Sequence, residues 1–369
     1  MDQKNLLKDN FFRKYQLGDL SLPNRILMAP MTRMRCDPKT GVPNDLLVEY
    51  YSQRASAGLI FTECSPISNT GNSSLGAGGI YTQEQVEGWK RVTSKVHEKG
   101  GRIYMQIWHA GRVAHPEHTG EQNISPSAIA IRGNSRKDLP HVQPKEMTKE
   151  DIKTVLEQFR QGAINAKAAG FDGLELHGAG GYLVDSFLRD SANQRTDEYG
   201  GSVENRCRFA LEVMDILIEV FGAKRVGAKF SPVGRFQDIY DSDPLKTYTY
   251  LLQELDKREV SFVHLAEPRD PPTPSHYGPG EEQIAEVART FRPVFKGSII
   301  MDNILSPEAA AKALDEGYVD LIGFGRYFIA NPDLVERLKN GWPLNEWDFT
   351  TFYGGDAKGY TDYPLYNKQ

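Results

Sequence analysis

The chain of 369 residues has little cysteine and no long apolar run. Its three cysteines, Cys36, Cys64 and Cys207, stand at irregular spacing. Thiols so placed make neither a disulfide framework nor a zinc-binding pattern, and a reducing cytoplasm is the expected setting. No stretch of about 18 apolar residues occurs, so no membrane span is expected. No basic-then-apolar leader is present either, and no secretion signal is expected. Charge of one sign is also missing: 44 basic residues against 49 acidic ones leave a net charge of −5. That balance, with an isoelectric point near 6.0, gives no electrostatic ground for a nucleic-acid partner. The absence of GxGxxG after the first candidate strand weakens a dinucleotide-binding open sheet.

What is present is alternation. Short apolar runs at Arg25–Thr32, Gly58–Ile67, Arg102–Trp108, Gly173–Ala179, Arg225–Pro232, Ser261–Pro268, Pro293–Ile300 and Asp320–Arg326 read as strands. Helical patterns lie between them. One opens at Thr148 with Thr-Lys-Glu-Asp, a capping-box variant. It runs on through Ile152, Val155, Leu156, Phe159 and Ala163 and stops at Gly170. Another opens at Ser306-Pro307-Glu308, a cap followed by proline in the first turn. Eight strands alternating with helices predict an α/β fold, a closed parallel (β/α)8 TIM barrel forming one domain over residues 1–369. Such a barrel needs roughly 250 residues, so the surplus lies in loops. The largest is an excursion at about 110–147 after the third strand, and Asp185–Gly201 reads as a further irregular segment. Both follow strands and belong on the carboxyl-end face, where barrel enzymes build their sites.

Side chains alternate across a strand, and in a barrel one set faces the helices and the other the axis. Ile103, Met105 and Ile107 then face the helices, leaving Tyr104, Gln106 and Trp108 inward. Leu174 and Leu176 face out, with Glu175 and His177 inward. Val226, Ala228 and Phe230 face out, with Gly227, Lys229 and Ser231 inward. In the first strand, Leu27, Ala29 and Met31 outward would put Thr32 inward. Thr32, Gln106, His177 and Lys229 thus converge on one rim. Each alone is readily satisfied by water or backbone, but four polar groups together at a dry rim are costly without a polar ligand. A hydroxyl, a carboxamide and a cation suit a flat heterocycle with carbonyl and N–H edges, and flavin is the candidate. Phe324-Gly325-Arg326 at the end of the last strand, and the turn before Ser306, fall where such barrels bind phosphate.

With those residues in view the chain resembles the old yellow enzyme family of FMN-dependent ene-reductases. The resemblance rests on LPNRILMAPMTR (22–33), QIWHAGR (106–112) and GLELHGAGGYLVDSFLRDSANQRTDEYGG (173–201). It continues in NQRTDEYGGSVENR (193–206), GFGRYFIANPDLVERL (323–338) and TFYGGDAKGYTDYP (351–364). It implies an FMN-filled barrel whose amino end is covered by a hairpin lid, here YQLGDLSLPNR. It implies that Ala29, Pro30, Met31 and Thr32 line the cofactor, with Thr32 at the flavin O4 edge and Cys64 nearby. Gln106 would meet the pyrimidine edge and Lys229 the N1 and O2 atoms. Asp302 and Asn303 would lie in the phosphate turn, with Gly325 and Arg326 on the phosphate. His177 would bind the substrate oxygen, Tyr182 would protonate the substrate carbon, and Tyr353 would line the pocket. The implied reaction has two halves: NADPH or NADH reduces FMN, then an electron-poor alkene, an α,β-unsaturated carbonyl or nitro compound, accepts the hydride.

Three positions depart from the family pattern. Gly180 stands where a second hydrogen-bond donor, Asn or His, is usual. Lys229 replaces an arginine, keeping the charge but not the planar fork. Met301-Asp302-Asn303-Ile304 replaces a glycine-rich turn; Asp302 would repel phosphate unless it turns away, and Ile304 resists positive φ. Cys64 is read as a packed thiol rather than a redox group. Competing readings are a specialised flavin isomerase or narrow-metabolite reductase, a flavin-binding module with little turnover, and a flavin-free sugar-phosphate barrel enzyme. Oligomeric state has no signature in the sequence.

Overall fold

Eight parallel strands close into a barrel. They are β3 (Ile26–Met28), β4 (Leu59–Pro66), β5 (Ile103–Trp108), β8 (Gly173–His177), β9 (Val226–Phe230), β10 (Phe262–Ala266), β11 (Ser298–Asp302) and β12 (Leu321–Phe324). β12 pairs with β3 to complete the ring. This is a computed structural model, and it describes residues 10–132, 139–268, 284, 286–303 and 306–367.

The amino end of the barrel is plugged by an antiparallel hairpin, β1 (Tyr15–Leu17) and β2 (Leu20–Leu22), with Leu17 opposite Leu20. Its turn needs glycine: Gly18 has φ of 59°, and a Cβ there would run into the Lys224 carbonyl. Leu17 and Leu22 join Leu27, Leu59, Phe61, Tyr104, Phe262, Ile300 and Leu321 in one buried cluster inside the barrel. That cluster closes the floor, so the free space lies at the carboxyl ends of the strands.

The helix-facing set is as alternation predicts on three strands. Ile103, Met105, Ile107, Leu174, Leu176, Val226, Ala228 and Phe230 pack with Ile152, Val155 and Phe159 of the helix Lys149–Ala168. That helix is capped by Thr148, whose hydroxyl accepts from the Asp151 amide while Asp151 accepts from Thr148. The helix Pro307–Asp315 is capped by Ser306.

Two expectations fail. On β3 it is Leu27 that faces the barrel interior, with Ile26 and Met28 toward the helices. The strand ends at Met28, and Pro30 has no N–H with which to continue a ladder, so alternation counted through Thr32 has no footing. The seventh barrel strand is Ser298–Asp302 rather than Pro293–Ile300. The apolar Val294 and Phe295 instead cap the end of a short helix, Val287–Phe291, with their amides on the Phe291 carbonyl.

The excursion after β5 carries a short helix at Pro116–Thr119 and a two-stranded parallel ribbon, β6 (Ile124–Ser125) and β7 (Lys145–Glu146). The segment expected to be irregular from Asp185 begins inside a helix, Leu183–Leu188. Arg195 ties the two loops together, donating to the carbonyls of Pro126 (2.9 Å) and Met147 (2.6 Å). Among the described residues no helix is long and apolar enough to cross a membrane.

Candidate active site at the carboxyl end of the barrel

β8 ends on His177, and the chain then turns sharply through Gly180 and Gly181, at φ of 67° and 77°. Such angles favour glycine. The turn is held from outside. The Gly180 amide donates to Ser231 Oγ (3.1 Å) and the Gly181 amide to Asp185 Oδ2 (2.9 Å). Asp185 is buried, and its other oxygen accepts from Arg189 Nε (2.9 Å) and the Tyr248 hydroxyl (3.0 Å).

This turn delivers two aromatic polar groups to the same place. The Tyr182 ring lies 5.0 Å from His177 and 4.9 Å from Trp108, edge-on to both. The Ala179 amide donates to His177 Nδ1 (3.3 Å), so in the neutral ring the proton sits on Nε2. Burial, then the charges of Lys229 and His264, lower the His177 pKa to about 3. His177 is nonetheless not fully buried as a residue. His177 is therefore a neutral donor through Nε2 near neutrality, next to a phenol.

Below this pair a polar chain crosses the barrel. Gln106 Nε2 donates to Glu175 (2.7 Å), and the other Glu175 oxygen is 2.7 Å from His264 Nδ1. His264 Nε2 is 3.5 Å from Asp302, which forms an ion pair with Lys229. Burial favours a neutral Asp302, but Lys229 and His264 override it and hold the carboxylate well below its usual range. Burial and Lys229 oppose charge on His264, yet Glu175 and Asp302 raise its pKa overall. Alternation finds Gln106, Glu175 and Lys229 at this level. His264 escaped notice although it sits in a recognised strand, paired in register with Lys229.

Asp302 thus turns into the barrel, away from the helix-terminal end where phosphate was expected. Asn303, not a glycine, takes the left-handed conformation that follows, with φ of 61°. Ile304 lies outside the described residues. Gly325 precedes the short helix Arg326–Ala330 and receives no side-chain cap. A Cβ there would sit 3.4 Å from Met31 Sδ, in ordinary contact with the loop after β3. Arg326 is exposed, with its guanidinium 5.6 Å from the Phe349 ring centroid. Tyr353 is 53% exposed.

The loop after β3 brings Ala29, Pro30, Met31 and Thr32 along the rim, Ala29 buried and the others partly so. Thr32 Oγ1 lies 3.0 Å from Cys64 Sγ, which is buried on β4. Behind them Glu63 accepts from the amides of Arg33 (3.1 Å) and Met34 (3.2 Å), an anchor that sequence reasoning missed. Burial pushes its pKa up to about 7 against the pull of those bonds.

The donor set fits a planar heterocycle with alternating carbonyl and N–H groups. One N–H of Gln106 is held by Glu175, which leaves the amide oxygen turned to accept. Lys229 keeps protons beyond the one shared with Asp302, and Asp302 Oδ1 is buried with no hydrogen-bond partner among the described residues. Buried polar atoms of this kind call for a polar partner.

Comparison with known proteins is consistent along nearly the whole chain. The model of the NADH:flavin oxidoreductase / NADH oxidase family matches residues 10–345. The chain is 42% identical over 356 residues to 12-oxophytodienoate reductase 1 of Oryza sativa subsp. japonica, covering 95% of this chain and 92% of that protein. A solved structure of morphinone reductase in complex with tetrahydroNAD superposes with a TM-score of 0.89 at 42% identity, covering 97% of this chain and 98% of the other. The old yellow enzyme homologue from Zymomonas mobilis gives 0.91 at 36% identity, covering 97% and 100%.

Proposed function

Because the chain belongs to the NADH:flavin oxidoreductase / NADH oxidase family, that is, the old yellow enzyme family, we propose that the His177–Tyr182 pair reduces the activated C=C bond of α,β-unsaturated carbonyl compounds. The protein is an FMN-dependent, NAD(P)H-consuming oxidoreductase of the ene-reductase kind. When bound, FMN carries a hydride from the nicotinamide to the β-carbon of the alkene.

The chain's own residues have three tasks in this reading. Thr32, Gln106 and Lys229 hold the flavin's polar edges, with Ala29, Pro30, Met31 and Cys64 against the ring. Gly325, Arg326 and Asn303 serve the phosphate end. His177 donates from Nε2 to the substrate oxygen, where negative charge builds as the β-carbon is attacked. A preorganised donor at that point lowers the barrier because its dipole needs no reorientation. Tyr182 gives its phenolic proton to the α-carbon, general-acid catalysis worth roughly 10²–10⁴-fold. Gly180, Tyr353 and the Trp108 edge bound the space between them.

One observation carries the proposal: His177, whose Nδ1 is engaged by the Ala179 amide and whose Nε2 is left to donate, has its ring centroid 5.0 Å from that of Tyr182. A pair packed wholly in the core would not leave His177 and Tyr182 partly exposed. Anaerobic stopped-flow tests it. In Tyr182→Phe, bleaching of the flavin by NADPH or NADH should stay within about twofold of the parent. Reoxidation by 2-cyclohexenone should slow by roughly 10²-fold or more. Reoxidation at the parental rate would remove Tyr182 from the proton step.

A further inference from the structure

Lys229 does not present a lone positive charge to the cleft. It is 12% exposed and ion-paired with Asp302, which is 8% exposed. The pair bridges β9 and β11 across His264 of β10, and Glu175 holds the far side of that imidazole. Two carboxylates therefore face an ammonium and an imidazole in one interior chain of contacts. Lys229 serves the ring edge in the reading proposed above, and charge near that edge sets how readily the ring accepts electrons, since reduction places negative charge there.

We infer that Asp302 is a built-in counter-charge that offsets Lys229 and holds the FMN of this protein at a lower reduction potential than an unpaired cation would. This rests on Lys229 facing the flavin. The carboxylate is in direct ion-pair contact with the ammonium, so it weakens the field that the cation presents to the ring. Inside a protein such a field is damped far less than in water. Asp302, the last residue of β11, reaches Lys229 by turning its side chain inward.

The test is the midpoint potential of the bound FMN, read from its absorbance against a reference dye at pH 6 in Asp302→Asn, Lys229→Met and the double variant. Each variant is compared with the parent at the same pH. Asp302→Asn should favour reduction by about tenfold, a rise of about 30 mV for a two-electron couple. Lys229→Met should lower the potential. The double variant, which leaves no lone buried charge and so folds most readily, should return toward the parent. If Lys229→Met lowers the potential while Asp302→Asn and the double variant show no compensation, the counter-charge is overturned and the site reading stands. If no variant moves the potential, Lys229 does not face the flavin, and both statements fall.

Discussion

Gly180 leaves the substrate oxygen with a single side-chain donor in the proposed chemistry. Its backbone offers no substitute, because the amide is engaged by Ser231. Its φ of 67° strains most side chains, but asparagine tolerates that region. A Cβ would meet the Tyr182 ring at 3.5 and 3.7 Å and Phe236 at 3.7 Å, ordinary contact distances. Gly180→Asn should therefore fold, tighten binding of a para-substituted phenol by about tenfold and speed enone reduction. A donor at such a position is worth on the order of 3 kcal/mol when fully preorganised, and a grafted one recovers part of that. Equilibrium titration and reoxidation kinetics check it; unchanged values would mean the new amide does not reach the oxygen.

The β1–β2 hairpin is the element on which the location of the site depends. By filling the amino end of the barrel, Leu17 and Leu22 leave the strand carboxyl ends as the open face. Leu22 is fully buried in the cluster that closes the barrel floor. Leu22→Ala should lower unfolding free energy by about 2–5 kcal/mol, measured by urea denaturation. A loss under 1 kcal/mol would mean the hairpin only rests on the barrel. The turn after β8 depends on its neighbours in the same way: Ser231 and Asp185 pin its amides, so the direction of His177 and Tyr182 is decided by β9 and the following helix.

For the whole molecule, buried groups set how stability responds to acid. Burial lowers His109 and His177 from 6.5 to about 3, so between those values the unfolded chain binds two more protons than the folded one. Burial raises Glu63 from 4.5 to about 7, so there the folded chain binds one more. Between pH 6.5 and 4.5 these three groups leave one extra proton on the unfolded chain, while burial also raises Glu212 and Glu267, which oppose it, and lowers His141, which adds to it. Each of the two imidazoles should make stability fall on acidification by up to about 1.4 kcal/mol per pH unit, and the raised carboxylates should offset part of that. Denaturant titrations of His109→Gln beside the parent would show it: the variant should lose stability less steeply toward acid, and an equal slope would contradict the burial of that imidazole.

Strand number, barrel closure, the helix caps at Thr148 and Ser306, and the inward facing of Gln106, His177 and Lys229 follow from the sequence alone. Each depends on a local period or a local hydrogen bond, and both are written in neighbouring residues. Facts that join distant residues were decided only in three dimensions. The floor position of Leu27, the partnership of Asp302 with Lys229, the link from Gln106 through Glu175 to His264, and the Glu63 anchor under Thr32 connect strands far apart in the chain. Alternation says which face a side chain takes but not which partner it meets there. That choice depends on register around the closed ring and on where a strand such as β3 stops.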